Sequence, residues 1–369
     1  METPWYQVRN ADEVPSPALL VYPDRVEENI RRMIRLAGGV DRLRPHMKTN
    51  KLPEVIRMQM EQGITRFKCA TIAEAELVAA CGAPDALLAY QPVGPNIERL
   101  IQLIRWFPKT QFSAIADDAG TIRLLSQAAQ RAGVTIRLLL DIDCGMHRCG
   151  VMPGAKAVEL YRLIAGSPGL VAGGLHAYDG QIHDRDAAAR TVACEAAFAP
   201  VNALREELER AGLAVPTLVA GGTPTFPMHA RRARVECSPG TSVFWDLGYS
   251  TMLPDLDFLP AVLLLARVVS KPGTNRLCLD LGHKAVASEG PHPRVRWFEF
   301  PEARVAGHNE EHLILETERA DAFAVGDCCY GIPWHVCPTV ALHQEAVVIR
   351  EGRATERWQV TGRARKISI

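Results

Sequence analysis

The 369-residue chain lacks a net charge: 42 lysines and arginines balance 42 aspartates and glutamates. A chain so balanced carries no electrostatic footprint for nucleic acid, and no such partner is expected. Long apolar runs are missing as well. The longest, residues 258–269, is interrupted by Pro260 and Arg267 and falls short of the ~20 apolar residues that span a bilayer, so no membrane partner is expected. The opening stretch METPWYQVRNADEVPSP has no basic patch followed by an apolar core, the mark of a secretory leader. In that setting the ten cysteines read as reduced thiols of a cytoplasmic protein rather than a disulfide framework. No internal repeat or low-complexity linker is evident, and no GxGxxG fingerprint follows the first strand. What is present is a composition 47% apolar, enough to bury a sizeable core, at a length that suits two domains.

Periodicity organises that length. After a strand at 18–22, a helix opens near Asp24 with Val26, Ile30, Met33, Ile34 and Ala37 on one face. Short β-branched or Leu-rich runs then recur at 42–46, 66–70, 86–90, 111–115, 136–141, 170–176, 217–220 and 234–237. Helical stretches separate them. One is marked by a capping box, Thr71 with Glu74 three residues on; another, 195–211, ends at Gly212 as its cap. Eight strands alternating with helices predict a (β/α)8 TIM-type barrel, with a doubly wound open sheet as the alternative. From about Ser242 the texture changes to strands without long helices: 261–270, 276–281, 295–300, 311–316, 346–349 and 358–369. The expected division is a barrel over 16–241 and a mostly-β domain over 242–369. The N-terminal strand and residues 1–15 are candidates to join the latter.

In a barrel the chemistry lies at the C-terminal strand ends. The first strand delivers RPHMKTNK, with His46 and Lys48, and the fifth runs into DIDCGMHRCG, with Asp141, Asp143, His147 and Arg148. The sixth delivers HAYDGQIH, with His176, Tyr178, Asp179 and His183. The seventh and eighth end in AGGTPT (Gly222, Thr223) and SPGTS (Gly240, Thr241). Lys48 is either a solvated surface charge or, if desolvated, an amine able to attack a carbonyl; Lys51 reads as solvated. The two Gly-Thr turns are either ordinary tight turns or a phosphate cradle of close backbone N–H groups and hydroxyls. A lysine at one strand end and a cradle across the mouth together suggest pyridoxal phosphate. Arg148 clamps planar oxygens bidentately or pairs with Asp141 or Asp143.

RPHMKTNK, FKCATIAEAE, LLAYQPVG, DIDCGMHRCG, HAYDGQIH, AGGTPT and PWHVCPTV, in this order, resemble the D-threonine aldolase and D-serine dehydratase group of alanine-racemase-like, fold-type III pyridoxal phosphate enzymes. The resemblance covers nearly the whole chain. It implies Lys48 as the Schiff-base lysine, with His46 beside it at the cofactor. Arg148 would sit on the cofactor's phenolic oxygen, Tyr178 near its ring, and Gly222, Thr223, Gly240 and Thr241 at its phosphate. It implies a metal pair, His335 and Cys337, and a homodimer. Outside the resemblance, Cys337 would read as a buried thiol.

Side chains at i and i+2 share a face if PWHVCPTV is extended, and a histidine with a thiolate suits Zn²⁺, whereas Mn²⁺ favours carboxylate and water. Such a metal would act on the β-hydroxyl of a D-β-hydroxy-α-amino acid. Two outcomes follow: aldolase cleavage to glycine and an aldehyde, with His183 as acid/base, or dehydration of D-serine, D-threonine or D-3-hydroxyaspartate to a 2-oxo acid and ammonia, with Lys48 as the Cα base. The resemblance places an acidic residue at the Cys337 position in many aldolases and His-x-Cys in zinc-dependent dehydratases. FKCATIAEAE, LLAYQPVG and the compact length point to the aldolase branch, which is the expected activity. A racemase using Tyr330 as second base, and a non-enzymatic pyridoxal phosphate carrier, are the remaining alternatives.

Overall fold

A computed structural model describes residues 4–369. The chain divides into two compact units. One contains the N-terminal stretch through Ile30, Thr49–Val55 and Thr241–Arg363; the other contains Arg31–Lys48, Ile56–Gly240 and Ala364–Ile369.

The first strand, β1 (Ala18–Val21), is fully buried and belongs to the mostly-β unit described below. The barrel strands follow it: β2 (Arg66–Cys69), β3 (Asp85–Leu88), β4 (Gln111–Ala116), β5 (Ile136–Ile142), β6 (Leu170–Ala177), β7 (Leu218–Ala220) and β8 (Glu236–Cys237). All seven pair in parallel in sequence order. Leu87, Ile115, Leu139 and Val219 fill the interior as one cluster. The eighth stave is the 42–46 segment, but not as a regular strand. Leu43 bridges Cys237 and His46 bridges Lys68, both in parallel, so the segment closes the gap between β8 and β2. Arg44 N–H donates to the Cys237 carbonyl at 2.8 Å, and Lys68 N–H to the Pro45 carbonyl at 2.9 Å. Pro45 has no N–H to extend that ladder, which is why the expected strand is reduced to bridges. Arg44, itself buried, reinforces the seam by pairing with Asp85 at 2.5 Å and Glu236 at 2.6 Å.

Local signals account for the helices. Thr71 Oγ1 accepts from Glu74 N–H at 3.1 Å while Glu74 Oε2 accepts from Ala70 N–H at 2.6 Å, so the capping signature is satisfied from both sides. The helix expected over 195–211 starts earlier and runs Ala187–Arg210, capped by Asp186, with Gly212 at φ +76° just beyond its end.

In the mostly-β unit, β9 (Val262–Gly273), β10 (Arg276–Leu279), β11 (Val295–Trp297), β12 (Arg304–His308), β13 (Leu313–Glu316), β14 (Cys328–Pro333), β15 (Glu345–Arg350) and β16 (Arg353–Gln359) join β1. The sheet order is β12-β13-β10-β9-β1-β15-β16, with β14 pairing both β9 and β11. Two of these strands have no counterpart in the sequence reading. In β14, CCYGIP, a glycine and a proline mask the pattern. Gly331 is required because a Cβ there would lie 2.2 Å from Val295 Cγ1 and against the Trp297 ring. In β12, RVAGH, no side chain is fully buried, so no apolar alternation exists to read. The strand expected over 358–369 is corrected: β16 ends at Gln359, and residues 364–369 belong to the barrel unit. There Arg99 holds the Ile369 carbonyl at 2.6 Å, and Glu76 accepts the Ser368 N–H at 3.1 Å. Trp358 alone is buried in β16, an exposed edge strand with little signal.

Candidate active site

The seam segment 43–48 ends at Lys48, which is half-buried and lies 5.8 Å from the centroid of the Tyr178 ring. The Arg148 guanidinium lies 5.3 Å from the same centroid. His46, two residues before Lys48, is buried and accepts the Lys48 N–H on Nδ1 at 3.3 Å, bracing the turn that carries the amine. Tyr178 in turn rests on Gly222, where a Cβ would lie 3.0 Å from Cε2. Four expected site residues, Lys48, Arg148, Tyr178 and Gly222, thus meet within the barrel unit.

The acidic partners proposed for Arg148 are engaged elsewhere. Asp143 accepts from Gly145 N–H at 2.9 Å, His147 N–H at 3.0 Å and His147 Nδ1 at 2.9 Å, so it shapes the loop that carries Arg148. Asp141 is bonded to His176 Nδ1 at 2.6 Å. Arg148 is exposed, and its guanidinium lies over the Tyr178 ring. His183 lies in the loop after β6 and is exposed.

The turns after β7 and β8 also meet. Gly240 N–H donates to Thr223 Oγ1 at 3.2 Å. Ser238 Oγ, beside them, is buried with no hydrogen-bond partner among the described residues. An orphaned hydroxyl two residues before Gly240 fits a phosphate group, whose oxygens would accept from it. Thr241 opens the 3-10 turn Thr241–Val243 of the other unit, and its Oγ1 is 3.6 Å from Cys337 Sγ.

Two networks escaped the sequence reading. Lys68, buried on β2, donates to His176 Nε2 at 3.1 Å, and Asp141 completes a Lys68–His176–Asp141 chain. Its ammonium is 5.6 Å from the Tyr178 centroid. Burial first, and then the Lys48 charge, push Lys68 down to about 7 against the opposing pull of Asp141 and Asp179. The signal was a lysine in the middle of the apolar strand RFKC. The second network is Asp179, bonded to His229 at 2.8 Å and to the Thr225 hydroxyl at 2.7 Å, with the Cys194 thiol 3.6 Å from His229 Nε2. These three potential metal ligands are all buried. Burial pushes the Cys194 thiol up to about 11, and the bonds of Asp179 to His229 and Thr225 brace the turn that follows Tyr178.

In the mostly-β unit, His335 is the N-cap of the helix Val336–Leu342 and Cys337 lies in its first turn. The extended segment expected here is therefore a helix start. Pro338 tolerates that position, because the first-turn N–H it lacks has no partner within the helix. Burial would lower the His335 pKa, but the adjacent Cys337 thiol, Asp246 and Glu289 outweigh it and push it up to about 9. Glu289 meets His335 Nδ1 at 2.5 Å, the carboxylate–imidazole contact that orients metal-binding histidines. Thr49 Oγ1, from the residue after Lys48, is 3.1 Å from Cys337 Sγ. Imidazole, thiol and an orienting carboxylate form a donor set that fits Zn²⁺. Asp246 holds the helix start: its Oδ2 accepts the Val336 N–H at 3.0 Å and its Oδ1 the Tyr249 N–H at 2.9 Å.

A barrel bearing a lysine, an arginine and a tyrosine at its mouth defines a class, and comparison with known families agrees. The chain belongs to the family of the alanine racemase N-terminal domain, matched over residues 21–247, and residues 261–349 match the putative serine dehydratase domain. Among curated proteins it is 32% identical to a D-threonine aldolase of an Arthrobacter species, over 95% of this chain and 93% of that one. It is 29% identical to a 3-hydroxy-D-aspartate aldolase of Paracoccus denitrificans strain Pd 1222, over 96% and 93%. The crystal structure of a D-threonine aldolase from Filomicrobium marinum superposes with a TM-score of 0.90 at 31% identity, covering 97% and 98% of the two chains. No helix among the described residues is long and apolar enough to cross a membrane.

Proposed function

We propose that the chain is a pyridoxal phosphate- and divalent-metal-dependent lyase of the D-threonine aldolase type, cleaving D-β-hydroxy-α-amino acids between Cα and Cβ to glycine and an aldehyde. The observation that carries the reading is the convergence of Lys48 and Arg148 on the Tyr178 ring, in a chain similar over nearly its full length to a D-threonine aldolase and a 3-hydroxy-D-aspartate aldolase, and at lower identity to a D-threo-3-hydroxyaspartate dehydratase. Bound at Lys48, pyridoxal phosphate would supply an electron sink for the bond broken at Cα. Lys48 and His46 anchor one end of the site. Tyr178 supports the ring face, and Arg148 keeps its charge at any relevant pH to orient planar oxygens. Gly222, Thr223, Gly240 and Thr241 hold the phosphate end, with the Ser238 hydroxyl as an additional donor. His183 takes the hydroxyl proton of the substrate. His335 and Cys337 would hold Zn²⁺ or Mn²⁺, and the thiol favours zinc; the metal would supply Lewis acidity towards the β-hydroxyl oxygen. The same reading carries a cytoplasmic homodimer, in keeping with ten free cysteines.

Dehydration is the second reading. It is favoured by Cys337 as a soft ligand, in a segment that matches the putative serine dehydratase domain. The racemase reading loses its second base. Tyr330 is buried, its hydroxyl accepts the Val8 N–H at 3.3 Å, and burial pushes its pKa up to about 12.

Product analysis decides. Purified protein with pyridoxal phosphate and Zn²⁺ or Mn²⁺ receives D-threonine, with L-threonine as control. Glycine and acetaldehyde from the D form alone are expected. 2-Oxobutanoate and ammonia would establish the dehydratase instead, and the absence of both would remove the β-hydroxyl chemistry.

A further inference from the structure

The hydroxyl of Thr49 has no part in the chemistry above, yet this fully buried side chain ends 3.1 Å from Cys337 Sγ. A second hydroxyl, Thr241 Oγ1, lies 3.6 Å from the same sulfur. Both sides of the Thr49–Cys337 contact are held by the backbone. On one side, Asn50 Oδ1 accepts the Leu52 N–H at 3.2 Å and the Lys51 carbonyl accepts the Gly362 N–H at 3.0 Å, so the two residues after Thr49 are tied down. On the other, Val336 N–H donates to Asp246 at 3.0 Å and Thr339 Oγ1 to the His335 carbonyl at 2.7 Å, which fixes the helical turn that carries Cys337. The contact is therefore preorganised by two separately braced segments, not made by two mobile side chains.

We infer that Thr49 is a positioning residue for the metal pair: its hydroxyl donates to the Cys337 thiolate and sets how tightly the pair takes a soft divalent cation such as Zn²⁺. The inference rests on the reading of His335 and Cys337 as that pair. Between a hydroxyl and a thiol either atom can be the donor. A metal removes the choice. Cysteine ligates as the thiolate, so the S–H proton is released to solvent and a sulfur–metal bond takes its place. The sulfur is then an acceptor only, and the Thr49 O–H must donate to it. A hydrogen bond to a charged acceptor is roughly twice as strong as one between neutral groups. Thr49 thus stabilises the ligating form of Cys337 more than its thiol, and that difference adds to metal affinity. Glu289 meets His335 on Nδ1, so each ligand has an outer partner suited to it, a carboxylate for the imidazole and a hydroxyl for the thiolate.

The test is the zinc affinity of the full-length protein, measured by competition with a chromophoric chelator, together with the sulfur-to-metal charge-transfer band of the Co²⁺-loaded protein. Wild type, Thr49→Val and Thr49→Ser are compared, with Cys337→Ala as the control. Thr49→Val keeps the volume and removes the donor, so zinc affinity is expected to fall about 10–100-fold. Its cobalt band should move to longer wavelength, because a thiolate without the hydroxyl donor holds its electrons less tightly. Thr49→Ser, which restores the hydroxyl, should return both readouts towards wild type. A Thr49→Val protein with wild-type zinc affinity overturns the inference. So does a loss that Thr49→Ser shares in full, or one that leaves the cobalt band in place, since the side chain then acts by packing alone. Wild-type protein that binds zinc no more tightly than Cys337→Ala overturns the underlying reading of the pair instead. If Thr49→Val fails to fold, Thr49→Ala takes its place with the same two readouts and the same criteria.

Discussion

Asp246 shows how a single buried carboxylate organises a candidate metal pair without being part of it. Two helix starts, at Leu247 and Val336, share its two oxygens, and the second of these carries His335 and Cys337. Full burial raises its pKa from the ordinary 3.8 to about 6, against the N–H bonds of Tyr249 and Val336 and the charge of His335. The sign of the resulting pH dependence follows from proton uptake. Between pH 4 and 6 the folded protein binds the proton that the unfolded chain has released, so stability falls as pH rises through that window. At 1.36 kcal/mol per unit the effect is on the order of 3 kcal/mol. Thermal melts of metal-free protein across pH 4–6 should therefore show a slope that Asp246→Asn removes. An unchanged slope would place the titration elsewhere. At the same scale, Gly331→Val drives side-chain atoms into Val295 and Trp297 and is expected to cost ~1–3 kcal/mol or more in urea unfolding, whereas Gly212→Ala, beside nothing within 4 Å, pays only its φ of +76°.

Among the elements, the seam at 42–46 is the one whose stability rests on side chains. Pro45 removes a ladder bond, and Arg44 replaces it with ion pairs to β3 and β8. Breaking a buried pair leaves uncompensated charges, so Arg44→Met should destabilise the protein by ~3–5 kcal/mol in urea, with Arg66, bonded to Glu236 at 2.7 Å, softening the loss. A change below ~1 kcal/mol would mean the seam does not need the ion pairs. Legibility in the sequence tracks this same property. Strands β2 to β8 stood out because their buried residues run continuously between helices. The seam was placed correctly in the chain but read as a regular strand. β12 and β14 were invisible because one is half-exposed throughout and the other is shaped by Gly331 and Pro333. At the site, the residues at strand ends, Lys48, Arg148, Tyr178 and Gly222, were legible because turns and motifs mark them. Lys68 and the Asp179–His229 brace were not, because their partners lie on distant strands and only the fold brings them together.

At the scale of the whole molecule, the proposed function assigns the metal and pyridoxal phosphate to different residues, His335 with Cys337 and Lys48. Chelation should abolish turnover of D-threonine while leaving pyridoxal phosphate capture at Lys48 intact, measured by absorbance before and after chelator; Cys337→Ala should reproduce the loss. Loss of both functions together would contradict separate sites.

The ion pair that locks the seam also joins residues 192 positions apart, Arg44 and Glu236. The pairing of the seam with β8 is the long-range closure of the ring, and pairings of that span slow folding. The segment that makes this pairing leads directly into Lys48, so one long-range contact both closes the ring and fixes where that lysine stands.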